Sequence, residues 1–260
     1  MVKSISCGRH LLALSVISFL VVSSVASGQT PRTPTETVRE FYKALREKRF
    51  REAFSLSIYK PAIDALNPQE FADLRPDFEK MAFAVSEKIP EKVDITGEQV
   101  SGDVASVFIK LLDADGKEKI EPASLIKIGD VWLVGDRESL EMVKKAGKNF
   151  FFETRINAHH SDVQDMMTRI SVVQVVYGQG HNGQFGTLAE LVSAGLIPKD
   201  IETVDSTGYR FQINRSADGK SWYATAEPAQ YGRTGRLSFY LDASGIKSGD
   251  NGGKPLSLKP

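Results

Sequence analysis

The chain has 260 residues, with 33 basic and 33 acidic side chains and no formal net charge. That balance leaves no cationic excess to neutralise phosphates, so a nucleic-acid partner is not expected. The one cysteine, Cys7, sits near the N-terminus, which excludes an internal disulfide and removes thiol catalysis and zinc–thiolate sites from the body of the chain.

In chain order, Lys3 and Arg9 precede an apolar run from Leu11 to Ala26, and the small residues Ser24, Ala26 and Gly28 follow the pattern of a cleavage site. Residues 1–28 read as a secretory signal cut after Ala26 or Gly28. The protein is then exported, periplasmic or extracellular, with no membrane span left after cleavage. The rival reading is an uncut N-terminal membrane anchor, but the run is shorter than the roughly 20 apolar residues of a spanning helix and is interrupted by Ser15, Ser18, Ser23 and Ser24. Cys7 precedes the run, whereas a lipid-anchoring cysteine follows one.

Residues 30–147 read as a first domain. Thr33-Pro34-Thr35-Glu36 is a helix start, with Thr33 as cap, Pro34 in the first turn and Glu36 completing a capping box. Val38, Phe41, Tyr42 and Leu45 fall on one helical face, and Phe50, Ala53, Phe54 and Ile58 continue on a short second helix. Asn67-Pro68-Gln69-Glu70 caps a third segment bearing Phe71, Leu74, Phe78, Met81 and Val85, which Pro76 is expected to break or kink. The period then switches to two. Val93, Ile95 and Val100 lead to a turn at Ser101-Gly102-Asp103. Strands at Val104–Leu112, Ile120–Ile128 and Val131–Val134 follow, turning at Asp115-Gly116 and Gly129-Asp130. Helices followed by an antiparallel meander make an α+β layout.

Residues 148–260 read as a second domain, after the polar break at Lys144–Lys148. Ile156, Val163, Met166, Ile170, Val173 and Tyr177 keep helical spacing, and Gly178 is the expected stop. Thr187-Leu188-Ala189-Glu190 is another capping box. Three strands are expected at Tyr209–Ile213, Trp222–Ala226 and Leu237–Leu241, too few to be stable without a covering helix. The Gly-, Ser- and Pro-rich stretch from about Lys247 reads as a flexible tail.

Two resemblances accompany this reading. Residues 37–54 and the strand pair around Gly129-Asp130-Val131-Trp132 resemble the nuclear-transport-factor-2-like superfamily, which includes ketosteroid isomerase. That resemblance implies a cone, in which a curved antiparallel sheet wraps helices. Tyr177-Gly178, Phe185–Leu191, Ala194–Pro198, Gly208–Phe211, Trp222–Pro228 and Ser238–Ile246 are similar in order to the head domains of type IV pilins and type II secretion pseudopilins. That resemblance implies a long helix packed on a small antiparallel sheet. The stem of a true pilin is missing: the corresponding stretch, Gly147–Thr154, is internal and holds only three phenylalanines.

No catalytic set emerges. The first domain has no histidine, and its Asp64, Asp73, Asp77 and Asp94 read as capping or solvated charges. Tyr42, Tyr59 and Trp132 are the candidates to line a cone pocket, against a plain reading as core. Gly178-Gln179-Gly180-His181-Asn182-Gly183 matches G-x-G-x-x-G, but it follows a helix where the dinucleotide fingerprint follows a strand. His159 and Asp162 share a helix face without enough partners for a structural zinc site, so no metal or cofactor is expected. The expectation is an exported, non-enzymatic binding or assembly protein of the bacterial cell envelope, taking an envelope protein or a small apolar ligand. The alternative is a small-molecule-binding or isomerase-type enzyme using the cone cavity.

Overall fold

The computed structural model describes residues 31–86, 93–113 and 115–256, apart from the side chains of Ser86, Asp205 and Ser206. The expected secretory signal lies outside these residues. The chain is α+β, with helices and two separate four-stranded antiparallel sheets.

Helix α1 (Pro34–Arg46) begins at the expected capping box: the Glu36 amide donates to Thr33 Oγ1 at 3.2 Å, and the Thr33 amide to Glu36 Oε2 at 2.8 Å. Helices α2 (Phe50–Ser55) and α3 (Lys60–Asp64) follow. Helix α4 (Pro68–Ser86) is capped by Asn67, whose Oδ1 accepts from the Glu70 amide at 2.9 Å. The helix runs through Pro76 without the expected break. Leu74, Phe78 and Ala82 are all buried around that proline, and packing of this stripe outweighs the one lost backbone bond.

The first sheet has the order β1 (Asp94–Ser101), β2 (Val104–Leu112), β3 (Glu118–Ile128), β4 (Val131–Val134). Tight turns with left-handed glycines, Gly102 and Gly129 among them, close its hairpins. Val38 of α1 packs on one face, against Val107, Ile109, Leu125 and Trp132. Helix α5 (Arg137–Ala146) closes the other side, with Leu140 against Ile126, Leu133 and Ile58.

A single 3₁₀ turn, Gly147–Asn149, separates α5 from α6 (Phe150–Gly180). Helix α6 has 31 residues and is about 46 Å long. Its first turn belongs to the helical core: Phe151 and Phe152 join Phe50, Phe54, Ile63, Leu74 and Phe78. A boundary after residue 147 therefore separates these two rings, in sequence, from the core they fill. Downstream, Val163, Met167, Ile170 and Val173 are buried against the second sheet. Gly178 does not end the helix, which runs to Gly180 before His181 caps it.

Helix α7 (Leu188–Ser193) starts at the Thr187/Glu190 capping box. A short turn, α8 (Val204–Thr207), precedes the second sheet: β5 (Tyr209–Arg215), β6 (Trp222–Pro228), β7 (Leu237–Asp242) and β8 (Gly245–Asp250), paired in that order. The fourth strand corrects the expectation of a flexible tail from Lys247. Residues 245–250 pair antiparallel with β7, although Gly, Lys, Ser and Asp dominate them. Their ladder follows from the tight Ala243–Ser244 turn after β7, not from strand propensity.

Candidate functional site

The three expected pocket residues lie in cores. Tyr42 packs between the helical core and the α1–sheet core, and burial raises its phenol above the ordinary range, with Glu121 adding to the shift. Tyr59 packs on Phe54, Phe150 and Phe151, with ring centroids 5.4–5.8 Å apart. Trp132 sits on the inner sheet face with Lys127 Nζ 5.9 Å from its ring. Among the described residues the only buried carboxylates are Glu70 and Glu227, and neither belongs to the α1–sheet core. Asp64 pairs with Lys60, and Asp73 and Asp77 hold Arg155. A cleft of about 390 Å³ beside the first sheet contains Ser106, Ser124, Asp136 and Arg137. Its carboxylate is engaged as the α5 cap, accepting from the Ser139 amide at 2.8 Å.

A different surface carries aromatic groups. Along β6 and β7, Ala224, Ala226, Phe239 and Leu241 face α6, which turns Tyr223 and Tyr240 to the opposite face. These tyrosines are diagonal neighbours across the ladder, since Tyr240 pairs with Thr225. Their rings are nearly parallel, 17° apart with centroids at 5.5 Å, and Tyr223 is 41% exposed. They lie in an open groove of about 730 Å³ that includes Asn214, Arg215, Trp222 and Asp242.

The charges of this groove are engaged within the protein. Arg215 donates to Glu190 Oε2 at 2.9 Å and to the Phe185 carbonyl at 2.8 Å. Asp242 accepts from the Ser244 hydroxyl and amide, at 2.6 and 2.8 Å, which hold its carboxyl below the usual range. The sequence held a signal for this site. Period-two reading of Trp222–Ala226 and Leu237–Leu241 puts both tyrosines opposite the core-facing residues.

A second cluster joins α6 to the loop between β6 and β7. His159 Nδ1 lies 2.8 Å from the Thr234 carbonyl, and a carbonyl only accepts, so Nδ1 carries the proton. His160 Nε2 accepts from the amides of Arg236 and Leu237, at 3.1 and 3.2 Å. Arg236 pairs with Glu153 through two bonds of 2.6 and 2.5 Å, and Arg233 lies 4.1 Å over the Phe152 ring. The fit needs a glycine at 208: its φ is +66°, and a Cβ there would lie 2.6 Å from His159 Nδ1. None of these contacts is foreseeable from spacing, because residues 153–160 meet residues 233–237 only through the fold.

The G-x-G-x-x-G stretch forms a helix end and turn. The His181 and Gly183 amides donate to the Gly178 carbonyl at 3.2 and 2.9 Å, and the His181 ring stacks 3.7 Å from Tyr177. Asp162 and Asp165 are exposed on α6, while His159 is engaged by Thr234.

No protein-family model and no curated protein matches the chain. Among solved structures, one similar chain is described as an NTF2-like transpeptidase from Campylobacter jejuni. It has 15% identity and a TM-score of 0.29, over 41% of this chain and 100% of that one. That TM-score is too low to assign a shared fold.

Proposed function

We propose that this chain is an exported, non-enzymatic binding protein of the bacterial cell envelope, and that it holds a neutral carbohydrate chain in the groove beside Tyr223 and Tyr240. The observation that carries the reading is the near-parallel tyrosine pair in an open groove whose charges are internally paired. A sugar ring offers an apolar face to an aromatic ring and hydroxyls to Asn214, Asp242 and the serines at the rim. A small apolar ligand needs an enclosed cavity, and a nucleic acid needs a cationic groove beside its stacking rings; this groove is neither. The apolar packing of Val38 on the first sheet, with no buried carboxylate among the described residues of that core, supports the non-enzymatic reading over an isomerase.

The order of elements, helices and a meander and then a long helix on a small sheet, supports a nuclear-transport-factor-2-like module followed by a pseudopilin-like head. Lys3, Arg9 and the Leu11–Ala26 run support export.

Titration with cellohexaose and chitohexaose, followed by tryptophan fluorescence, tests the groove. Saturable binding is expected, weakened about tenfold, or roughly 1.4 kcal/mol, by Tyr223→Ala. Absence of binding, or an unaffected Tyr223→Ala variant, overturns the site. Mass spectrometry of the native protein should find an N-terminus at Ser27 or Gln29; an intact Met1 defeats export by cleavage.

A further inference from the structure

The loop from Ala229 to Arg236 is the bridge between the second sheet and the helical core. From it Arg233 reaches Phe152 and lies 3.4 Å from Glu70, and Arg236 reaches Glu153. Its return to β7 is held on α6 by the Arg236–Glu153 pair and by two imidazoles, His159 at the Thr234 carbonyl and His160 at the backbone that follows. Two backbone amides, of Arg236 and Leu237, point at His160 Nε2, and an N–H donor has no use for a protonated nitrogen. The latched geometry therefore requires the neutral ring, with its proton on Nδ1.

We infer that His160 is an acid-sensitive latch: its protonation frees the Arg236 and Leu237 backbone from α6, leaving the Ala229–Arg236 loop on the His159 and Glu153 contacts alone, and so loosens the polar cleft that Asn67, Glu70, Asp73, Gln230 and Arg233 form between loop and helical core.

The groups around the ring work in the same direction. On its own helix His160 adjoins His159, and Glu153 is taken up by Arg236. From the loop comes the Arg236 guanidinium. From β5 comes Tyr209 at 6.4 Å, its hydroxyl donating to the Leu237 carbonyl, and from β7 the apolar ring of Phe239 at 6.2 Å. Beyond Arg236 stand Tyr231 and Asp250, bonded to each other at 2.9 Å. No free carboxylate among these faces the ring to stabilise an imidazolium. Burial first, and then Arg236 and His159, hold the His160 pKa below its ordinary value.

The sign follows. A released, solvated ring titrates near the ordinary value of about 6.5 and the latched ring below it, so the latched form dominates above that pH. As pH falls below about 6.5, the population of the released loop rises by up to about tenfold per pH unit, one proton's worth of linkage.

Hydrogen exchange of the full chain, corrected for intrinsic rates, reads this directly. Protection of the Arg236 and Leu237 amides should be nearly constant from pH 8 to 7 and fall between pH 6.5 and 5.5, by up to about fivefold. Amides around Ile170 in the middle of α6 should not follow. The His160→Gln variant, whose amide oxygen also accepts, should lose the pH dependence. Protection of Arg236 and Leu237 unchanged down to pH 5, an equal loss at Ile170, or the same pH dependence in a folded His160→Gln variant would each overturn the latch. If that variant does not fold, the ¹⁵N shift of His160 Nε2 in the wild type decides. It must titrate together with the exchange of the two amides, and a ring that titrates without them refutes the proposal.

Discussion

Replacing Phe151 by alanine tests whether α6 makes the two cores one cooperative body. Phe151 is 4% exposed and touches Phe54, Phe78, Tyr59 and Phe150, with centroid distances of 5.0–5.8 Å. Truncating a phenylalanine in such a cluster costs about 3–5 kcal/mol, from lost burial and the cavity left behind. The chain carries a reporter in each half, because its two tryptophans are Trp132 in the first sheet and Trp222 in the second. Single-tryptophan variants, Trp222→Phe and Trp132→Phe, let fluorescence follow each half during thermal unfolding. Arg32–Pro260 forms a single compact unit, and for a unit of that size each kcal/mol moves Tm by about 2–4 °C. Phe151→Ala should therefore lower both tryptophan midpoints together, by roughly 6–20 °C. A Trp222 midpoint that stays while the Trp132 midpoint falls would show that α6 does not couple the cores. A shift below about 3 °C in both would show that Phe151 is not a core residue at all.

Ile170 is fully buried against the second sheet, so Ile170→Asp should cost at least about 4 kcal/mol and abolish the native Trp222 signal; a wild-type melt would mean that Ile170 faces solvent. Glu227 is 7% exposed and its Oε2 has no hydrogen-bond partner; burial raises its pKa, with Arg210 opposing. A carboxyl with a raised folded pKa loses stability as pH rises through that value, so Glu227→Gln should melt higher than wild type at pH 7, and the gap should close as pH falls toward 4.5. A variant less stable at pH 7, or a gap independent of pH, would refute this.

The local parts of the fold were legible because their causes are local. Thr33/Glu36, Asn67/Glu70 and Thr187/Glu190 announce helix starts by satisfying end amides with neighbours three residues away. The β-prone run Val104–Leu112, set between two turns, announces a strand, and that strand occupies those residues. What failed to show depends on distant partners. Pro76 looks like a breaker until Leu74, Phe78 and Ala82 are seen buried around it. Gly245–Asp250 has no strand-like composition and becomes a strand only because β7 offers it an edge. Phe150–Phe152 looked like part of a separate second domain, since nothing local ties them to Phe54 and Phe78, about 70 to 100 residues earlier in the chain. Among the candidate sites, Tyr42, Tyr59 and Trp132 satisfied the plain core reading. Tyr223 and Tyr240 were not among the expected site residues: the period-two pattern places them opposite the core-facing residues, but their pairing needs the register between strands.

Helix α6 also fixes a phase. Each residue of an α-helix turns the chain by about 100°, so one residue inserted near Asn157 would swing everything downstream by that angle about the helix axis. The apolar contacts within each core would survive that rotation, because each uses only its own stretch of the helix. The Arg236–Glu153 and Arg233–Phe152 contacts would not, because they span the insertion point. The number of residues between Phe152 and Val163 is therefore a constraint in its own right, independent of which residues they are. Exposed positions in that interval, such as Asn157 and Ala158, can change identity freely, but the helix cannot gain or lose one of them.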